Sequence, residues 1–343
     1  MSTRTELGEG PQIAERLLDS AAGPIAAVAR AVRERGIDLV VIAARGTSDH
    51  AAIYAQYVLG ARNGLPVALA APSLASLYGQ TPRLGNALVL GISQSGRSPD
   101  VVAVLADARR QGALTVGITN DPASSLAQAV EHVVPLHAGA ERGVAATKTY
   151  LASVMLIAML SGALRGDADS EAELRALPDA LRAALDVEAQ VEAIAATRSG
   201  DDRCIVLARG FQYATAREWA LKIKELAYVL ADPYSGADFQ HGPIALVQPG
   251  FPVLAVATSG PALPGMIELL GRLREGRARL LVLSDDPTAL AIGEGVPLPA
   301  GVPEWLAPLT AIIPAQLYAW HLARARGLDP EAPRNLSKVT LTR

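Results

Sequence analysis

The sequence predicts an α/β protein: two doubly wound parallel-sheet domains in tandem, each a three-layer α/β/α sandwich. Three observations carry that prediction. At 343 residues the chain has room for about two domains of roughly 150 residues. Through the first half, short apolar runs alternate with helical patterns, as buried parallel strands alternate with their crossover helices. The same plan then returns at a fixed offset of 164 residues.

In order, "DLVVIAA" (38–44) reads as a strand followed by a helix from about Ser48, and "ALVLGIS" (87–93) as a strand followed by a helix from about Pro99. "LTVGITN" (114–120) and "HVVPL" (132–136) read as further strands, and a long apolar helix follows from about Lys148. At the offset, Asp38 corresponds to Asp202, Arg45-Gly46 to Arg209-Gly210, Ser95-Gly96 to Ser259-Gly260, Gly112 to Gly276 and Asp121 to Asp285. The expected organisation is an N-terminal domain over 1–165, a helical linker over 166–200, a C-terminal domain over 201–329 and a tail over 330–343. In the linker, Ser170 and Glu173 have the spacing of a capping box.

Composition narrows the function classes. Half of the residues are hydrophobic and 19% are charged, as in a folded soluble protein. With a net charge of −3 and no basic run, nucleic acid is not an expected partner. "MSTRTELGEG" lacks a basic-then-apolar signal pattern, and the longest apolar stretch, 150–164, is short for a membrane span. The single cysteine, Cys204, lies in the apolar run "CIVLA" and excludes an internal disulfide; a cytoplasmic protein is expected. Only four of the 31 basic residues are lysines: Lys148, Lys222, Lys224 and Lys338. Where arginine serves elsewhere, a retained lysine is a candidate for amine chemistry, chance being the alternative.

Two turns stand out: "RGTS" (45–48) and "SQSGRS" (93–98), each at the carboxyl end of an expected strand and just before a helix. Ligands bind there in open parallel sheets. Ser98-Pro99 fits an N-cap with proline at the first helical position, which leaves free backbone N–H groups beside the hydroxyls. Thr47, Ser48, Ser93, Ser95 and Ser98 could donate to phosphate oxygens, Gln94 could orient a sugar hydroxyl and Arg97 could add charge. Ordinary turn-building and capping is the rival explanation. The repeat weighs against it, because Thr47 and Ser48 become Phe211 and Gln212, and Ser93 and Ser98 become Ala257 and Ala262. Neither strand end carries GxGxxG, which disfavours a dinucleotide.

"ATAREWALKIKELAYVL" (214–230) reads as one helix on which Glu218, Lys222 and Glu225 fall within about 60° of each other, beside an apolar face of Trp219, Ile223, Leu226 and Leu230. Facing a cleft, Glu225 would serve as a general base; facing water, the stripe would be an ordinary Glu–Lys pairing. His241 lies in the polar turn "DFQHGP" (238–243), where a histidine can act near neutral pH. His50 sits close to the first turn, whereas His132, His137 and His321 lack a chemical context. No His/Cys/Asp cluster has metal-ligand spacing, and no metal or redox cofactor is expected.

"RGTSDHAA", "SQSGRSPD", "GVAATKTY", "RGFQYATAREWALKIKEL", "HGPIAL" and "PRNLSK" together resemble, in order and spacing, the sugar isomerase (SIS) family, specifically the isomerase half of the hexosamine-phosphate synthases. The resemblance spans essentially the whole chain and implies two flavodoxin-like domains. It also implies that Gly46, Thr47, Ser48, Ser93, Gln94, Ser95 and Ser98 bind a sugar phosphate, while the backbone of Val144, Ala145 and Ala146 lines the sugar pocket. Glu225 would shuttle the proton between C1 and C2, Lys222 would stabilise oxygen charge, and Lys338 in the C-terminal tail would form an imine with the ketose carbonyl. His241 would assist ring opening, reaching the neighbouring subunit's site in a homodimer. The synthases also need an N-terminal glutaminase domain with a terminal cysteine, and no counterpart is expected here. Where the synthases have "HAEA", "GVASTK" and "SGETAD", this sequence has "LADP" (230–233), Ala146 and "SGRSPD". These departures resemble the stand-alone SIS-type amino-sugar-phosphate deaminases and isomerases. The expected activity is therefore conversion of glucosamine-6-phosphate and water to fructose-6-phosphate and ammonia. The alternatives are an aminotransferase-like isomerase using external ammonia or a partner glutaminase, and a non-catalytic phosphosugar sensor.

Overall fold

The structure, a computed structural model, describes residues 2–338. The chain divides into two compact units: one holds residues 12–142, 148–176 and 337–338, the other 2–11, 143–147 and 177–336. Among the described residues each unit is built on a five-stranded, all-parallel sheet flanked by helices.

In the first unit the strands are β1 (Leu39–Ala43), β2 (Val67–Leu69), β3 (Ala87–Ile92), β4 (Leu114–Thr119) and β5 (His132–Pro135), in the order β2-β1-β3-β4-β5. In the second they are β6 (Arg203–Ala208), β7 (Leu230–Ser235), β8 (Pro252–Val256), β9 (Arg279–Ser284) and β10 (Glu294–Pro297), in the order β10-β9-β8-β6-β7. Read from its own first strand, the second sheet repeats the first. In both, the order reverses beside the first strand, and the crevice at that switch is where doubly wound sheets take ligands.

The repeat explains why the strands form where they do. β3 and β4 are buried at every position, and their Val, Leu and Ile side chains face helices on both sides of the sheet. In the first unit Val41, Val89, Val104, Leu105 and Leu126 close one face; in the second Leu207, Val253, Leu269, Leu270 and Val282 do the same. Each such side chain contributes about 1.5–3 kcal/mol when fully buried. The apolar helix Lys148–Arg165 is buried from Lys148 to Gly162 and packs on the helices Thr47–Asn63 and Ala22–Glu34. Its counterpart Ala307–Ala325 packs on Glu188–Thr197 and Tyr213–Lys222, with Trp219 edge-on to Tyr318 at 5.6 Å. Among the described residues no helix is long and apolar enough to cross a membrane.

Two local expectations are corrected. The helix expected over 214–230 is α-helical only over Tyr213–Lys222; Ile223–Ala227 forms one π turn, Tyr228 takes a left-handed φ of 56°, and β7 begins at Leu230. Leu230 is accordingly 74% exposed rather than part of an apolar face. In the linker the helix starts at Ala168, before Ser170. Asp167 accepts the Ser170 N–H at 2.8 Å, so the aspartate caps the helix and Ser170 instead takes a hydrogen bond from Arg62 at 2.6 Å.

Candidate active site

The serine-rich turn of the first unit follows β3, and the "RGTS" turn follows the adjacent strand β1. Parallel pairing brings both turns to the carboxyl ends of neighbouring strands at the switch point. Gly46 precedes the helix Thr47–Asn63 with φ 55° and ψ −127°, a conformation glycine adopts without a Cβ penalty. Thr47 and Ser48 are therefore first-turn residues, at the end where helical N–H groups lack intrahelical acceptors. Ser98 is the N-cap residue of Pro99–Arg110 as expected, but its hydroxyl caps nothing; it lies 3.3 Å from the Ser93 hydroxyl. Ser93 is buried and accepts the Gly96 N–H at 3.2 Å, and Ser95 accepts the Arg97 N–H at 3.3 Å. The Gln94 carbonyl accepts from Asn120 N–H and Thr119 Oγ1, leaving its side chain half-buried. Gly96 is obligatory: at φ 62° an added Cβ would stand 2.1 Å from Ser124 Oγ.

An ion pair ties the turns together. Arg45 Nε donates to Asp100 Oδ2 at 2.7 Å, and the fully buried Asp100 also accepts the Val101 N–H at 2.9 Å. Arg97, read as added charge for a ligand, stands 3.5 Å from Asp121 and is two-thirds exposed. The result is a polar notch with two helix N-termini, neutral hydroxyls and no carboxylate oxygen left over from Asp100. That is the chemistry an oxyanion group requires.

In the second unit Lys222 is buried between two carboxylates, 3.4 Å from Glu218 and 2.5 Å from Glu225. Glu218 is fully buried, so the stripe is no solvated surface pairing. Burial pulls the Lys222 amine downward, but the neighbouring Glu218 and Glu225 charges outweigh it and the net shift is upward. Glu225 lies within the π turn, three residues beyond Lys222, and its carboxylate remains partly exposed. Glu225 opens on a cavity of about 210 Å³ lined also by Lys224, Tyr228, Arg334, Asn335 and Leu336. Arg334 lies over the Tyr228 ring at 4.0 Å, and its N–H donates to the Tyr228 hydroxyl at 2.7 Å.

The segment Gly143–Thr147 also belongs to the second unit. Glu6 of the short helix Thr3–Leu7 accepts the Gly143 N–H at 3.1 Å, and a Cβ at 143 would lie 2.6 Å from Thr3 Oγ1. Thr3 is in turn held by Glu331 through its N–H and its hydroxyl. Ala145 is buried and Val144 and Ala146 are half-buried, so this helix sets the backbone of the predicted sugar-lining residues. Sequence reasoning missed Glu6 and Glu331, and gave Glu218 a place on the stripe but no role in the site. Glu6 and Glu331 act across the chain and leave no local pattern.

His241 is exposed in its turn, and its ring has no hydrogen bond or ion pair among the described residues, the Lys222 cluster included. Lys338 groups with the first unit, where its amine pairs with the buried Glu141 at 2.7 Å. His321 bonds Glu188 at 3.1 Å, a structural contact.

The family model for the SIS domain matches residues 35–162 and again 199–325. The chain belongs to the SIS family. One curated SIS relative, the glutamine–fructose-6-phosphate aminotransferase (isomerizing) of Pyrococcus horikoshii, is 35% identical over 310 residues, covering 88% of this chain and 51% of its own. The chain thus spans about half the length of the curated relatives it matches. A crystal structure from Silicibacter pomeroyi DSS-3, described as a candidate phosphosugar isomerase, is 36% identical with a TM-score of 0.87, covering 96% of this chain and all of the other. The C-terminal domain of glucosamine-fructose-6-phosphate aminotransferase from Francisella tularensis is 25% identical with a TM-score of 0.84, covering 95% of this chain and 97% of the other. Two SIS domains in tandem account for the 164-residue repeat.

Proposed function

We propose that the chain is an amino-sugar-phosphate isomerase and deaminase converting glucosamine-6-phosphate and water to fructose-6-phosphate and ammonia. The observation that carries this reading is the Glu218–Lys222–Glu225 cluster, a carboxylate at the mouth of a cleft held by a buried ammonium. A protein that only sensed phosphosugars would need the serine notch and no such base.

In this reading Thr47, Ser48, Ser93, Ser95 and Ser98 hold the phosphate, Gln94 orients the sugar, and the backbone of Val144, Ala145 and Ala146 lines the pocket. His241, supplied across a homodimer, opens the ring. Glu225 removes the proton from C2 and returns it to C1, so the C1 aldehyde becomes an alcohol and the C2 amine becomes an imine. Lys222 holds Glu225 in place and steadies charge on the sugar oxygens. Attack by the Lys338 amine on the C2 imine releases ammonia, and water then frees the ketose from the lysine imine. A coupled assay for fructose-6-phosphate tests the base. Glu225→Gln is expected to lose about 10²–10⁴-fold in turnover, and comparable turnover by both proteins rejects the assignment.

The names of the curated relatives favour a second reading, in which the same groups run toward synthesis with ammonia from outside the chain. Ammonia-dependent formation of glucosamine-6-phosphate from fructose-6-phosphate, faster than the reverse at physiological concentrations, would select it. The departures at 230–233, Ala146 and Arg97-Ser98-Pro99 favour deamination.

A further inference from the structure

Glu141 follows β5 and precedes the helix Lys148–Arg165, and its side chain is wholly buried. A buried carboxylate is costly unless its lone pairs are satisfied. Here two contacts come from one residue of the helix's first turn: Thr149 N–H donates at 3.1 Å and Thr149 Oγ1 at 2.8 Å. That N–H has no intrahelical acceptor, and the helix's positive end favours the anion. The carboxylate is thereby clamped to a buried helix before any lysine arrives. Onto this post Lys338 sets its amine at 2.7 Å, from a tail segment of short polar residues, with its own side chain 25% exposed.

We infer that Glu141 is the positioning residue for the Lys338 amine, fixing where the tail lysine rests and withholding it from reaction until a sugar opens the pair. The inference rests on the proposed function only for the identity of the sugar; the pairing itself stands on the geometry. A lysine on a flexible four-carbon stem has many resting places, and a carboxylate immobilised by two further donors reduces them to one. An ammonium hydrogen-bonded to that carboxylate is not a nucleophile, so the pair must open before nitrogen can attack a carbonyl.

The chain supplies its own control, because it has only four lysines. Lys148 and Lys222 are buried and Lys224 is exposed. Trace acetylation of the full chain with acetic anhydride, quantified per lysine by peptide mass spectrometry, should label Lys338 at least tenfold more slowly than Lys224. Glu141→Gln should raise the Lys338 rate about tenfold with Lys224 unchanged, and Glu141→Asp should restore part of the protection. Thr149→Val, which loosens the clamp and keeps the charge, should raise the rate two- to threefold and serves if Glu141→Gln fails to fold by circular dichroism. Equal labelling of Lys338 and Lys224 in the wild type, or no rise in the folded variants, overturns the inference whatever the turnover.

A second arm uses fructose-6-phosphate with cyanoborohydride. The amine adds to the C2 carbonyl, water leaves, and hydride reduces the imine to a stable secondary amine. The adduct should form at Lys338 in the wild type and fall at least tenfold in Glu141→Gln. Protection without any wild-type adduct upholds the positioning and rejects the imine role of Lys338. An adduct that forms equally in both proteins rejects the positioning.

Discussion

In the first unit the turn after β3 presents Ser93, Ser95 and Ser98; in the second the turn after β8 presents Ala257, Ser259 and Ala262 at matching places. The backbone framework is shared, since Gly46 and Gly210 both take a left-handed φ, 55° and 62°. What fills the turns differs. A Cβ added at Gly46 would meet nothing within 4 Å and one at Gly210 only Glu304 Oε1 at 4.0 Å, while at Gly96 it would stand 2.1 Å from Ser124 Oγ and at Gly260 2.4 Å from the Glu304 carboxyl carbon. The bridges between neighbouring turns differ too: an Arg45–Asp100 ion pair in the first unit, a Gln212–Thr258 hydrogen bond of 3.3 Å in the second. Glu304 even has a counterpart, for each unit places a glutamate between its last strand and its last apolar helix, Glu141 after "PLHAG" and Glu304 after "PLPAG". Glu141 accepts from Thr149 and pairs with Lys338, while the Glu304 side chain makes no hydrogen bond or ion pair among the described residues. A duplicated sheet thus keeps its turns, and a few side chains decide what lines each of them.

The largest test of that contrast is at the hydroxyls. A hydrogen bond to a charged group is worth about 1.5–3 kcal/mol, so the double variant Ser93→Ala/Ser98→Ala should weaken glucosamine-6-phosphate binding about 100-fold by calorimetry. Ser259→Ala should leave it unchanged; a comparable loss there would erase the distinction between the turns. Next comes the bridge. Arg45→Met leaves the buried Asp100 without its cation and should cost about 1–3 kcal/mol in denaturant unfolding. Arg209→Met should stay within about 0.5 kcal/mol, because Arg209 is exposed and Pro264 occupies the place of Asp100.

Much of this was legible in the sequence, for reasons particular residues make plain. Strands such as "ALVLGIS" announce themselves because both of their faces are buried, and the offset of the repeat located the turns of both units. The hydroxyls lost between Ser93 and Ala257, and between Ser98 and Ala262, singled out the first unit's turn before any coordinates did. The π turn was invisible, since Ile223, Leu226 and Ala227 continue an apolar pattern that an α-helix would also satisfy. Leu230 misled for the same reason: its apolar side chain stands exposed at the start of β7. The three-residue strand β2 is too short for periodicity to register. Glu6, Glu141 and Glu331 could not be found from spacing at all, because their partners lie 137, 197 and 328 residues away.

The finest test is at Glu304. Burial pushes its carboxyl above the ordinary glutamate range, and no partner charge opposes the shift. The native state therefore holds that proton more tightly than the unfolded chain does. Its contribution to stability is greatest below the unfolded value and is lost as pH rises through the native one, leaving a small penalty at neutral pH. Glu304→Gln removes the ionisation while keeping the shape. The variant should match the wild type near pH 4 and exceed it at pH 7, by only a few tenths of a kcal/mol because the partly exposed group is screened by solvent. Urea unfolding of both proteins at the two pH values measures the difference. A variant less stable than the wild type at pH 7 would mean that the ionised carboxylate finds donors in the turn at Gly260, and that the second turn has kept the anion-binding character the first one displays.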